Sequence, residues 1–147
     1  PLDMIIGASF RGYRDTWDVL SQTYEIEAER YMLPWLRLAA KGRYYNQTGA
    51  LFWSDDYTGG EPKHGPRGQY WSGDRELSPL KSYLFGGRVL GSWKGTREDR
   101  LLGMLLDFSA GASLDVIQTE LEDFTLAGTA PDDTTAFVFG LSVHGGF

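Results

Sequence analysis

Five carboxylates sit in short polar segments where side chains could converge on a divalent cation: Asp55, Asp56, Asp74, Asp132 and Asp133. Hard cations take oxygen ligands, and clustered carboxylates supply oxygen and compensating charge together. A second set, Glu25, Glu27 and Glu29, alternates along the chain. On a strand all three would share one face; on a helix they form a solvated acidic surface beside Arg30. Nucleophilic and zinc chemistries find no pattern to rest on. The chain has no Cys, its two histidines (His64 and His144) stand at no ligand spacing, and no G-x-S-x-G occurs. No metal and no cofactor is therefore expected, and a carboxylate- and metal-dependent hydrolase is the alternative function.

Three segments share a different chemistry: Phe52-Trp53-Ser54-Asp55-Asp56-Tyr57, Tyr70-Trp71-Ser72-Gly73-Asp74-Arg75 and Ser92-Trp93-Lys94-Gly95-Thr96-Arg97. Each sets a Trp beside a hydroxyl residue and charges at the end of an apparent strand. An aromatic plane held at a loop rim offers contact area at low entropy cost, while adjacent polar groups fix orientation. Between the first two lies a connection, 57–76, too dense in Gly and Pro for a regular element, and long loops are often functional. The predicted binding residues are Trp53, Asp55, Tyr57, His64, Arg67, Tyr70, Trp71 and Arg75. They describe a small binding or assembly module whose aromatic, Gly/Pro-rich surface, residues 53–76, contacts a protein partner or another copy of the chain.

Family resemblances are short. Pro131-Asp132-Asp133-Thr134-Thr135 is similar to the last metal-binding motif of the metal-dependent protein phosphatases, and Gly73-Asp74 to another of that family's motifs. The resemblance implies a phosphatase-like activity for the alternative reading; the family's early Asp motif is not found. Glu25-x-Glu27-x-Glu29 followed by Arg30 resembles the tunnel-fold triphosphatases, which also need inward-facing Arg and Lys on later strands. Pro1 before a short strand resembles the tautomerase superfamily over a few residues, and residues 1–3 read more simply as the remnant of a cloned tag.

Charge is segregated. The last 47 residues carry seven acids and no Lys or Arg, whereas residues 61–100 carry eight basic residues against five acidic ones. Overall the net charge is −6, which disfavours nucleic acid, whose binders present a strongly basic face. With 41% hydrophobic and 14% aromatic residues the 147-residue chain is expected to fold as a single globular domain over 1–147. No stretch nears the ~20 apolar residues of a membrane helix, and no signal peptide is visible. From these absences the expectation is a soluble, cytoplasmic protein that does not enter a membrane.

The elements that must position these residues are read from periodicity. Residues 4–10 read as a short apolar strand ended by Arg11-Gly12. Over 15–33, Trp17, Leu20, Tyr24, Ala28 and Tyr31 recur at helical spacing and Pro34 stops the run, predicting a helix in preference to the strand that alternation over 24–29 also allows. A short helix is expected over 35–40 and a strand over 48–57. Residues 81–85 and 88–94 read as a hairpin turning at Gly86-Gly87, and 101–108 as a central strand. Ser113 and Asp115 open a second helix over 113–127, with Leu114, Ile117, Leu121 and Phe124 on one face. Over 134–143, Thr135, Phe137, Phe139, Leu141 and Val143 point one way. The predicted fold is α+β: a mainly antiparallel sheet in the order β-α-β-loop-β-β-β-α-β, with two principal helices on one face.

Overall fold

The apolar run near the start of the chain and the alternating run near its end both form strands, and strands occupy the stretches between as well. The computed structural model describes residues 4–54, 72–95, 101, 106–122 and 133–146. They contain six long strands: β1 (Met4–Arg14), β2 (Leu20–Leu33), β3 (Leu36–Gln47), β4 (Leu80–Lys94), β5 (Asp107–Leu121) and β6 (Thr134–Gly146). One 3-10 turn, Arg75–Leu77, is the only helical segment among the described residues. Each strand pairs antiparallel with its neighbours in sequence, giving one up-and-down sheet in the order β1-β2-β3-β4-β5-β6. At 11 to 15 residues these strands are two to three times the usual five or six.

The α+β expectation is overturned, and with it both principal helices. Residues 15–33 and 113–127 carried apolar residues at three- and four-residue intervals, but backbone pairing decides the conformation. Twelve β2–β3 partners and fifteen β4–β5 partners supply main-chain bonds that local helical spacing cannot outweigh. The short helix at 35–40 is part of β3. Gly86 and Gly87 do not turn the chain; they lie mid-strand in β4, opposite Lys41 and Ala40. The strand expected at 48–57 reduces to a bridge between Trp53 and Ser72 within the described residues; of 101–108, Asp107 and Phe108 begin β5 while 102–105, like 123–127 of the expected second helix, lie outside the described residues. The strands expected at 4–10 and 134–143 form and extend further.

Turn chemistry is local and legible. Pro34, whose ring presets φ, begins the two-residue link from β2 to β3, beside an irregularity in pairing between Tyr31 and Leu33. Between β1 and β2, the Asp15 carboxylate accepts from the amides of Trp17 and Val19 at 2.9 and 3.1 Å. Asp18 takes a positive φ of 60°, a region Asp tolerates better than most residues.

Buried residues sit mostly at one end of the sheet, with Leu84 further along β4. Val19, Ala50 and Leu121 are the best-covered apolar residues there, with Ser21 and Ser78 beside them. Main-chain bonds knit this end together: Ala50 to Leu77 at 2.9 Å, Leu51 to Trp17 at 2.8 Å and Glu122 to Pro79 at 3.1 Å. Among the described residues no second layer covers the rest of the sheet. The chain exposes 10598 Å², against roughly 7,500 Å² for a compact monomer of its 16.5 kDa mass.

Candidate functional site

Directly opposed residues of an antiparallel pair project to the same face, so the registers sort every strand residue. One face is apolar. Its rows read Ala8, Ile26, Gly42, Phe85, Val116, Phe137; then Ile6, Ala28, Ala40, Gly87, Leu114, Phe139; then Met4, Arg30, Leu38, Val89, Ala112, Leu141. Within these three rows Arg30 is the only charge. Aromatic side chains close the band at both ends. At one end Phe10, Tyr24, Tyr44 and Tyr83 form a ladder with centroid spacings of 5.0, 6.2 and 5.3 Å; at the other, Trp93 pairs with Phe108. Beyond the tyrosines the same face turns polar, with Gln22, Asn46, Lys81 and Glu120 in one row, and the Tyr24 hydroxyl donates toward it, to Gln22 at 3.1 Å.

The opposite face carries charge arranged in pairs. Glu25, Glu27 and Glu29 on β2 do share a face, opposite Arg43, Lys41 and Ala39 on β3, with Arg37 two residues further along that face. Arg37 bonds Glu29 at 3.1 Å, and Lys41 reaches across β4 to Asp115 at 2.9 Å. That reach depends on Gly86, which lies between them: a Cβ there would come within 2.6 Å of Lys41 Cε, and would also meet the Asp115 carboxylate. Gly87, on the apolar face, has nothing within 4 Å of its would-be Cβ. Gly86→Ala should therefore lower stability by about 1–3 kcal/mol, while Gly87→Ala should be neutral or gain up to about 1 kcal/mol. Denaturant midpoints of the two variants check this; equal shifts would mean that the Lys41–Asp115 bridge does not occupy the space over Gly86.

The exposure of the two faces is reversed from that of a sheet that packs its apolar side inward. Leu84, on the charged face, is 7% exposed, whereas its neighbour Phe85 on the apolar face is 67% exposed. Phe139 and Leu141 are exposed to 75% and 89%. At Leu84, in the middle of the sheet, the charged face is thus the better covered, and among the described residues nothing packs over the apolar face.

Of the residues predicted to bind, the structure describes two. Trp53 makes the bridge to Ser72, flanked by bonds from Ser54 to Ser72 and from Ser72 to Phe52, each 3.0 Å. Its indole nitrogen is buried without a hydrogen-bond partner among the described residues. Arg75 begins the 3-10 turn and its guanidinium donates to the Thr134 hydroxyl. Both lie at the well-packed end of the sheet. Asp55, Tyr57, His64, Arg67, Tyr70 and Trp71 lie outside the described residues. So do Asp56 and Asp132 of the metal candidates. Asp74 and Asp133 are described, and among the described residues no group of three His, Cys, Asp or Glu could hold a metal ion.

Sequence reasoning missed the apolar face as a surface. Its signal was present in the alternation at 134–143, and in the two-residue spacing of both Glu25, Glu27, Glu29 and Arg37, Ala39, Lys41, Arg43. Among the described residues no helix is long and apolar enough to cross a membrane. That criterion concerns helices alone. Comparison with family models, with curated proteins and with solved structures finds no match to this chain.

Proposed function

We propose that this sheet is the wall of a membrane-spanning antiparallel β-barrel, its apolar face toward lipid and its charged face toward a polar interior. One observation carries the reading: an uncovered apolar face closed at both ends by aromatic residues, backed by a face of ion pairs. In lipid every backbone polar group needs an internal partner, and an antiparallel sheet with apolar and polar residues alternating between lipid and lumen is one of two architectures that supply it. The dimensions agree. Tyr83 and Trp93 are ten positions apart on β4, roughly 33 Å along a strand, or about 25 Å across a bilayer at the usual tilt of about 40°. That is the height of the apolar band of known membrane barrels. The polar interior, lined by Glu25, Glu27, Arg37, Lys41, Arg43, Arg88 and Asp115, suits water and hydrated solutes.

A wall of this kind has consequences for its edges. Among the described residues β1 and β6 have no partner on their outer sides. Water-exposed edge strands are guarded by Lys, Pro, inward charges or bulges. β6 has no charged residue and no proline in 13 residues, so it is built to pair, and closure of a cylinder has to use these two edges. This reading sets a membrane in place of the cytoplasm expected from sequence.

Vesicle insertion tests the proposal. Diluted from denaturant into neutral phosphatidylcholine vesicles, the protein should gain β circular dichroism, blue-shift its Trp emission and protect the strands from added protease. Strands that stay fully digestible would sink the membrane reading. Self-association is the second reading, favoured by the same unguarded edges and by the exposed apolar face. A stable oligomer in lipid-free buffer by light scattering, with no gain of structure on adding vesicles, would select it and return weight to an assembly role.

A further inference from the structure

The apolar face holds one charge where a bilayer tolerates charge poorly. Arg30 lies six positions from Tyr24 and four from Pro34, so the guanidinium starts inside the apolar band rather than at its rim. It is exposed, and no hydrogen bond or ion pair to it is found among the described residues. Charged residues within the hydrocarbon region are costly unless they meet a partner, and they mark functional sites for that reason. Beside Arg30 the face dips into an open depression of about 680 Å³, lined by Met4, Ala28, Leu38, Ala40, Val89 and Phe139 among others. Its surface is almost wholly apolar, and Arg30 is the one cation on the lipid-facing side of its lining.

We infer that this depression seats an acyl chain of an anionic phospholipid whose phosphate pairs with Arg30. The inference rests on the membrane reading above and names a ligand for the same face. Two complementarities select that occupant. The depression is shaped and lined for hydrocarbon, and the charge on its lipid-facing side, Arg30, is positive. An anionic head group on the same molecule as the chain would neutralise Arg30 without carrying a second charge into the band. A zwitterionic lipid brings its own cation to the site and competes with Arg30 for the phosphate.

The test uses the folded protein in neutral detergent micelles, with phosphatidylglycerol and phosphatidylcholine of identical acyl chains added at equal concentration and retained lipid counted by native mass spectrometry. The parent should retain phosphatidylglycerol over phosphatidylcholine by about fivefold, the effect of one basic residue on an anionic lipid. Arg30→Lys should keep most of that preference, and Arg30→Gln should bring the ratio to about one. Should Arg30→Gln fail to fold, salt at about 1 M, where the screening length is about 3 Å, should weaken the parent's preference. A parent ratio near one, or a preference kept in Arg30→Gln or in high salt, overturns the inference. Displacement of the lipid by an equal concentration of inorganic phosphate would also overturn it, since the head group alone would then be recognised. Entry into neutral vesicles without any lipid preference defeats only this inference, whereas failure to enter them defeats the membrane reading and this inference with it.

Discussion

Phe139→Arg is expected to abolish stable insertion into vesicles, and Val138→Arg, one residue away, to leave it nearly intact. The two side chains point to opposite faces of β6: Phe139 stands in a row with Leu114 and Gly87, near the middle of the apolar band, and Val138 stands opposite Asp115 on the charged face. A cation on the lipid side of a barrel costs about 2–4 kcal/mol near the bilayer midplane, while a lumen-facing cation meets water and counter-charges. Urea titration of vesicle-folded protein, followed by circular dichroism, reads the difference directly. A water-exposed sheet gives the reverse pattern, because a new surface charge at a 75% exposed position would be neutral or would improve solubility. Equal, small effects of the two variants would therefore remove the lipid-facing assignment even if the protein binds vesicles by some other surface.

Leu121→Ala should cost about 2–5 kcal/mol, and Glu122→Ala less than about 1 kcal/mol. Leu121 is 3% exposed and is, with Val19 and Ala50, among the best-buried apolar residues described; truncation removes that burial and leaves a cavity. Glu122 pairs with Lys81, but both side chains are substantially exposed, so water replaces much of what the pair provides. Denaturant midpoints at unchanged m-value measure both. A small loss at Leu121 would mean that the packed end is held mainly by its main-chain bonds, such as those from Ala50 and Leu51, rather than by side-chain burial.

Part of this architecture was legible in the residues. Alternation over 134–143 put Phe137, Phe139, Leu141 and Val143 on one side, and the β5–β6 register places them there. Residues 4–10 read as a strand because they form an apolar run ended by Arg11-Gly12. Over 24–29 the alternation was equally present, yet Trp17, Leu20, Tyr24 and Ala28 also matched a helical period. Only pairing with β3 separates the two: Glu25 and Glu27 come into register with Arg43 and Lys41, and Glu29 meets Arg37 diagonally. The same applies to 113–127. Leu114 faces the apolar side while Ile117 and Leu121 face the charged side, so the spacing that suggested a helical stripe is divided between two faces of a strand. Gly86-Gly87 has the composition of a turn, and its use mid-strand is decided by a lysine 45 positions earlier and an aspartate 29 positions later, which meet over it.

The sequence by itself determined the local chemistry: the apolar run of β1 and the alternation of β6, the Pro34 and Asp15 turns, the absence of thiol chemistry and the segregation of charge. The tertiary structure alone decided that the whole set of strands forms one meander, which face of it is apolar, and that this face lies uncovered. The physical reason is range. Turns and alternation are set by neighbours within a few residues, whereas a sheet face is assembled from partners across separate strands, and its burial depends on what lies over it. Length adds to the ambiguity, since an apolar residue every second or every third to fourth position reads alike over one or two turns. Here the decision rests with long-range main-chain pairing, and the surface it creates, apolar on the outside with ion pairs behind, is the property on which the proposed function stands.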